Sequence, residues 1–248
     1  MLLFLIDERR LCIISRLTAS QLGDILRFFQ PILSGANVRD RALSCLGVFI
    51  AIAWTGITSC AALGETSPLI IAPVGASAVI VFAIPASPLA QPWPVIGGNM
   101  IAAFIGLACA WLIHDPTWAA ALAASLALAI MSLTRSLHPP GGAVAMTAAL
   151  GGPIVAKWGL LFPLVPVAVN SAAMVAAGVL FHRLLRRSYP HRPLPSPATA
   201  APTFVAADID EALQQMGESF DIARADLERL LEQAELNAHQ RRLRSTIT

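Results

Sequence analysis

The sequence has few charged residues, and they are almost absent from its middle. Only 13% of the 248 residues are Asp, Glu, Lys or Arg, whereas a soluble domain carries about 25%. Between Ala42 and Ala156 the only such side chains are Glu65, Asp115 and Arg135. A helix needs about 20 apolar residues to cross a bilayer. The composition therefore excludes a soluble globular protein and predicts an all-α, polytopic membrane protein in contact with a lipid bilayer.

Groups that support enzyme chemistry are also scarce. The apolar region has no carboxylate pair, no Cys/His cluster and no nucleophile motif, and the four cysteines lack CxxC spacing. The sequence therefore predicts neither a disulfide framework nor a metal site. Because membrane-embedded chemistry would rest on His138 alone, we expect no enzyme activity, no catalytic residue, no cofactor and no nucleic-acid partner.

The basic residues that are present flank the apolar region. Six arginines lie in the first 41 residues, and four more (Arg183, Arg186, Arg187 and Arg192) lie at the end of the last apolar run and just after it. Short basic flanks stay in the cytoplasm, so the sequence predicts two cytoplasmic termini, an even number of crossings and the cell (inner) membrane. The opening MLLFLI is too short for the apolar core of a cleavable signal peptide.

Composition divides the chain into four regions. Residues 1–40 are a basic amphipathic lead-in with a surface helix predicted over residues 19–29. Residues 41–185 are the transmembrane domain, 186–203 a proline-rich linker, and 204–248 a cytoplasmic amphipathic helical tail. The transmembrane domain has six apolar segments: 42–63, 69–84, 95–113, 118–134, a run from the HPPGG motif to 156, and 158–185.

These segments contain an internal repeat. Ala72–Val79 (APVGASAV) can be aligned with Pro139–Met146 (PPGGAVAM), and each stretch precedes a long apolar run with one asparagine, Asn99 or Asn170. If all six segments cross the membrane, the two repeats are inverted. If the two short segments are re-entrant, four segments cross and the repeats are parallel. Internal repeats of both kinds occur in secondary transporters.

The motif His138-Pro139-Pro140-Gly141-Gly142 predicts a broken helix. Proline suits the first turn of a helix and disfavours helical backbone in the residue before it. The N–H groups and positive end of a new helix offer a seat for a small anion. The same reasoning applies at Pro73. The candidate binding residues, taken over both breaks, are Gly75, Ala76, Ser77, Asn99, His138, Pro140, Gly141, Gly142, Ala143 and Asn170. The competing interpretation is that these residues only pack helices closely.

The tail has an apolar repeat. From Ile209 to Ala234, apolar residues recur at spacings of four and three, which is a heptad pattern. Asp208 and Glu211 fit a helix start at Asp208. Gly217 and Asp221 are where the pattern could divide into two helices folded on each other. The apolar stripe needs a partner, either a second copy in a homo-oligomer or the inner face of the membrane domain.

Three sequence stretches resemble one known family. They are FQPILSG with RDR (residues 29–41), GASAV with SPLAQP (residues 75–92), and HPPGGA (residues 138–143). Together they resemble the HPP integral membrane proteins over about residues 28–185. The resemblance implies a membrane domain that is usually described with four spans. Some members carry C-terminal CBS domains after a segment similar to Asp208–Glu235, and the chain ends at Thr248, too soon for such a pair.

The resemblance also implies a function, because plastid members are associated with nitrite transport. We therefore expect a small-anion transporter, with nitrite as the leading substrate and His138 as the coupling or gating residue. The alternative is a membrane-anchored scaffold or sensor that acts through the C-terminal tail. A membrane enzyme is disfavoured for the reasons given above.

Overall fold

Helices account for every regular element that the structure describes. The computed structural model covers residues 38–63, 71–192, 204–216 and 221–247. The surface helix expected over residues 19–29, together with Glu65 and Gly217, lies outside these ranges. Residues 1–41 form one unit and residues 42–248 a second. The prediction of an all-α fold is confirmed.

The helices are numbered in chain order. Four are long and apolar enough to cross a membrane. In addition, α5 and the helical residues that follow it form a pair that is bent by 75° at the break between them. The described helices are α1 (Val38–Leu63), α2 (Pro73–Ala83), α3 (Pro94–Leu112), α4 (Pro116–Leu133), α5 (Pro140–Leu150), α6 (Pro153–Trp158), α7 (Pro163–Leu184), α8 (Ala206–Met216) and α9 (Arg224–Ile247).

Helix α7 runs antiparallel to α1. Near the end of α1, Ser59 Oγ donates to Asn170 Oδ1 at 2.8 Å, early in α7. Near the start of α1, Gly47 faces the ring of Phe181, late in α7, and a Cβ at Gly47 would lie 3.0 Å from that ring. The two contacts therefore fix opposite chain directions for these helices.

Helix α7 also runs antiparallel to α3. The first turn of α7, Pro163–Val167, packs on Asn99–Leu112, whereas the first turn of α3, Pro94–Gly98, packs on Ala168–Leu184. Helices α1 and α3 consequently share one direction, and the chain must return between them through the segment that contains α2. These directions match inverted rather than parallel repeats. By length and composition, the described residues contain four helices that could cross a membrane, or five if the bent pair is one span, so six full crossings stay a prediction.

The two halves also match in detail. Helices α2 and α5 each have 11 residues and begin at a proline. Helices α3 and α7 each follow an aromatic residue and open with a proline and a five-residue π-helical turn. A π-helical turn is rare and is frequent at functional sites. The repeat predicted from the aligned Pro-x-Gly-Ala stretches thus extends over two consecutive segments of each half.

The start of the last apolar run differs from the prediction. The run expected from residue 158 to 185 does not start as one helix. It begins as α6 and a 3₁₀ turn at Gly159–Leu161, and α7 starts only at Pro163. Gly159 takes a positive φ of 49°, which ends α6, and Pro163 supplies the first residue of α7. Asp115 caps α4 by accepting from the N–H groups of Thr117 and Trp118.

Small residues let the central helices approach closely. Helices α3, α4 and α5 pack through buried alanines, namely Ala102, Ala103, Ala119, Ala123, Ala127, Ala145 and Ala148. Large apolar side chains such as Phe49, Trp111 and Leu128 are exposed instead. Exposed apolar surface with small residues inside is the pattern of helices that pack in lipid.

Gly106 of α3 gives a sharp test of this packing. A Cβ at Gly106 would lie 2.3 Å from the carbonyl oxygen of Ala145 and 2.6 Å from the Cβ of Ala148. We expect Gly106→Ala to lower the free energy of unfolding by about 1–3 kcal/mol through overpacking. Thermal unfolding in detergent would measure the loss. Gly142→Ala is the matched control, because a Cβ there meets nothing within 4 Å. Equal melting temperatures for the two variants would contradict the close α3–α5 contact.

The tail is a helical hairpin. Helix α8 ends at Met216 and α9 begins at Arg224, so the apolar repeat divides where Gly217 and Asp221 suggested. Arg224 Nε donates to Asp210 Oδ1 at 2.8 Å and holds the two helices together. The start of α8 was predicted three residues too late. Asp208 lies inside the first turn, and its carboxylate accepts from the N–H of Val205, as in a capping box.

Candidate functional site

His138 joins the two broken helices. Its Nε2 lies 2.8 Å from Ser77 Oγ in α2, and its Nδ1 lies 2.9 Å from the carbonyl oxygen of Leu89. A carbonyl can only accept, so Nδ1 carries a proton. In the neutral ring Nε2 then accepts from the hydroxyl of Ser77. His138 is fully buried, and Ser77 is 2% exposed. One side chain therefore links α2, the segment after it, and the start of α5.

The backbone around His138 is set by proline and glycine. Pro140 begins α5, and the residue before it, Pro139, has helical dihedral angles. Gly98 of α3 lies directly beneath this break. A Cβ at position 98 would lie 2.4 Å from the carbonyl oxygen of Ser136 and 3.1 Å from the Cβ of His138. Because position 98 is a glycine, the backbone of the π-helical first turn of α3 can lie in close contact with His138.

Two asparagine–serine pairs surround this junction. Asn99 Nδ2 donates to Ser171 Oγ at 3.1 Å, and Asn170 Oδ1 accepts from Ser59 Oγ at 2.8 Å. All four side chains are buried. Asn99 Oδ1 has no hydrogen-bond partner among the described residues. A buried amide oxygen without a partner is costly, so Asn99 marks a point where a polar solute or a water would be stabilised.

The predicted glycine and alanine residues occupy a different surface of the same two breaks. A Cβ at Gly75 or at Gly142 would meet nothing within 4 Å, and Ala76 and Ala143 are exposed. Gly141 is buried, and a Cβ there would lie 2.8 Å from Met131 Sδ. The structure therefore places open space beside the first turns of α2 and α5 and close packing behind them.

The N–H groups expected to bind an anion already have backbone partners. Gly75 N–H donates to the carbonyl of Ala72, Gly141 N–H to that of His138, and Gly142 N–H to that of Pro139, at 3.1, 2.8 and 3.1 Å. These bonds close the first turn of each helix. What each turn offers to a passing anion is then mainly the positive end of the helix dipole. Direct binding by these N–H groups stays a prediction.

The structure brings some predicted residues together and adds others. Ser77 meets His138, and the two asparagines lie in buried polar pairs, whereas Gly75, Ala76, Gly142 and Ala143 face away from these pairs. Sequence reasoning missed Ser59, Leu89, Gly98 and Ser171 at the junction, and it also missed His182, a buried histidine outside the junction. His182 is fully buried and its Nε2 donates to the carbonyl of Val81 at 3.0 Å. The signal for the serines was a hydroxyl inside a long apolar run, whereas a backbone carbonyl such as that of Leu89 gives none.

The buried polar side chains are neutral hydroxyl, amide and imidazole groups. They are Thr55, Ser59, Ser77, Ser87, Asn99, Ser136, His138, Asn170, Ser171 and His182. In the ranges that the structure describes, no three His, Cys, Asp or Glu side chains are placed to hold a metal ion. The arrangement offers hydrogen-bond donors and two helix N-termini to a solute, without a buried carboxylate.

Similar proteins are membrane proteins. Two transmembrane proteins of Dictyostelium discoideum are each 37% identical to this chain, over 135 and 121 residues that cover 52% and 46% of it. The chain spans less than half of either relative, 47% and 38% of their lengths. No solved structure matches.

A family model describes the region that holds this site. The model for the HPP transmembrane region matches residues 34–190, so it includes α1 to α7 and the His138 junction. The resemblance inferred from HPPGGA, GASAV and SPLAQP is therefore confirmed. Because the match covers more than half of the chain, the protein belongs to the HPP transmembrane family.

Proposed function

We propose that the protein is a secondary transporter of a small anion, and that nitrite is the substrate to test first. The observation that carries the proposal is the His138 junction: two broken helices from inverted halves meet through Ser77 and His138. Broken helices at corresponding places in two repeats are the strongest sequence pointer to a transport site. Buried polar groups inside a membrane domain also favour a functional role.

The charge of the solute follows from the groups that are present. The buried polar side chains of the described residues include no carboxylate, so a cation would enter without a counter-charge. Helices α2 and α5 direct their N-terminal ends, with a positive partial charge of about half a unit each, at the junction. Hydroxyl and amide N–H groups nearby can donate to an anion. A small anion is thus the solute that this site stabilises best.

Uptake into proteoliposomes tests the proposal. We expect purified protein in sealed vesicles to take up nitrite with saturable kinetics, at rates well above those of protein-free vesicles. Uptake is measured at two values of internal pH. Protein-free vesicles under the same conditions report how much nitrous acid crosses the lipid bilayer without protein. Methylammonium is the cation control.

Two outcomes would contradict the proposal. Nitrite uptake no faster than in protein-free vesicles would remove nitrite as the substrate and send the test to other small anions. Methylammonium uptake equal to that of nitrite would contradict the argument from neutral donors and helix N-termini, because these groups offer no binding site for a cation.

A further inference from the structure

The C-terminal hairpin contacts the segment between α2 and α3, residues 84–93, which we call the α2–α3 link. Ser87 Oγ donates to Asp221 Oδ1, just before α9, at 2.7 Å. The same Ser87 oxygen accepts from the N–H of Leu89 at 3.1 Å and caps the 3₁₀ turn Pro88–Ala90. One serine hydroxyl therefore connects the tail to the conformation of this turn.

A second set of contacts reaches the link through the residues after α7. His191 Nε2 lies 2.8 Å from Asp226 Oδ2 of α9, and the backbone N–H of His191 donates to Gln91 Oε1 at 2.8 Å. Gln91 in turn donates to the carbonyl of Ser87 at 2.8 Å. Three residues, from α9, the chain after α7 and the link, thus form one continuous polar chain.

Tyr189 fixes the same turn from a third direction. Its hydroxyl donates to the carbonyl of Ala90 at 2.9 Å, and the side chain is buried. Burial raises the pKa of Tyr189 above its usual range, so the phenol stays protonated and remains a donor. The carbonyl of Ala90 is held in place, and so is its neighbour Leu89.

Leu89 is the residue that connects this network to the candidate site. Its N–H is capped by Ser87, and its carbonyl accepts from His138 Nδ1 at 2.9 Å. The path from Asp221 to His138 runs through only Ser87 and Leu89. In this structure the tail is docked and His138 is fully buried, so docking accompanies a closed junction.

We propose that the C-terminal hairpin is a regulatory element that, when docked on the α2–α3 link, restrains His138 and keeps the junction closed. Release of Asp221 from Ser87 and of Asp226 from His191 frees the Pro88–Ala90 turn, weakens the hold of Leu89 on His138 and raises the rate of transport. The effect on transport rests on the proposed function. The effect on the link and on His138 does not.

The test compares substitutions that differ only in what they remove. Asp221→Ala with Asp226→Ala removes both carboxylate contacts of the tail. Asp221→Asn keeps an oxygen that can accept from Ser87. Glu211→Ala removes an acid from an exposed position on α8, where its carboxylate accepts from Gln215 of the same helix. All variants are made in the full chain.

Three measurements are made on each variant. Hydrogen exchange reports the amides of residues 84–93 and of α8 and α9. Carbethoxylation of His138 by diethyl pyrocarbonate, mapped by mass spectrometry, reports access to the junction. Nitrite uptake into proteoliposomes reports transport. For the double alanine variant we expect faster exchange in the link, roughly fivefold or greater labelling of His138, and a similar rise in uptake. Asp221→Asn and Glu211→Ala should resemble the wild type.

The outcomes separate the two proposals. In one outcome the wild type takes up no nitrite, while the double variant still shows faster exchange in the link and greater labelling of His138. That outcome would overturn nitrite as the substrate and support the regulatory contact. Unchanged exchange and labelling in the double variant would overturn the regulatory contact, whatever the uptake. A freed link and an accessible His138 with unchanged uptake, in a protein that transports nitrite, would also overturn it.

Discussion

Replacing His138 with alanine is expected to reduce nitrite uptake roughly tenfold or more. The substitution removes both hydrogen bonds at the junction, to Ser77 and to the carbonyl of Leu89. Each bond contributes about 0.5–1.5 kcal/mol, and the partners that it leaves buried add to the cost. A difference of 1.4 kcal/mol corresponds to a factor of ten. Uptake per folded protein, at two values of internal pH, is the quantity to measure.

A general loss of stability must be separated from a loss of transport. His182 supplies the matched control, because it is also fully buried and also bonds to a backbone carbonyl, that of Val81. It lies late in α7, away from the two breaks. We expect His182→Ala to lower thermal stability about as much as His138→Ala and to retain uptake per folded protein. If both variants lose uptake equally, His138 has no role beyond packing.

The role of His138 as a coupling residue needs a different variant. A glutamine at position 138 carries an NH2 group that donates and a carbonyl oxygen that accepts in place of the two ring nitrogens, and it does not titrate. If His138 exchanges protons during transport, His138→Gln keeps some uptake and loses the dependence on internal pH. A pH dependence identical to that of the wild type would contradict coupling through this residue.

Local rules of backbone chemistry explain what the sequence predicted well. The proline rule predicted a helix start at Gly141, one residue after the observed start of α5 at Pro140, and a start of α2 close to Pro73, because proline lacks an N–H and its φ is fixed. The aligned Pro-x-Gly-Ala stretches indicated a repeat, and the two 11-residue helices match that expectation. These features depend on a few neighbouring residues, so they can be recognised without knowing the fold.

Features that depend on distant contacts could not be predicted in the same way. The sequence left open whether the two repeats are inverted or parallel, and the directions of α3 and α7, which pack with the first turn of each on the body of the other, favour inverted repeats. The partner of His138 Nδ1 is a backbone carbonyl, and every residue carries one. Gly98 was also missed, because its importance comes from a close approach to Ser136 in another segment.

The residues of the proposed anion site show the same difference between features that neighbouring residues predict and features that only the fold determines. The helix N-termini at Gly75 and Gly142 were predicted from local pattern, whereas the bonds that their N–H groups make within the first turns follow from the backbone path. The structure separates the predicted residues into a buried set around His138 and an open set around the two glycines. A transport path needs both sets, since the open face admits the solute and the buried groups select it.

Gly142→Leu is expected to reduce nitrite uptake by roughly tenfold or more while the protein stays folded. A Cβ at Gly142 meets nothing within 4 Å, so a side chain can leave the backbone there without displacing a neighbour. Its side chain would occupy the open space beside the first turn of α5, where the positive end of the helix attracts an anion. Gly75 is the corresponding residue of the other repeat, and Gly75→Leu should have a comparable effect. Uptake and thermal unfolding are measured on the same preparations.

The control for added bulk is Ala129→Leu, at an exposed position within helix α4 and outside both breaks. This variant adds a similar side chain to a membrane-domain surface and should transport like the wild type. If Gly142→Leu and Gly75→Leu also transport at the wild-type rate, the open faces are lipid contacts and the path must run elsewhere. If only one of them blocks uptake, only one of the two broken helices lines the anion path. The inverted repeat would then describe the fold but not the binding site. A loss in both, with Ala129→Leu unaffected, would place the anion path between the two broken helices.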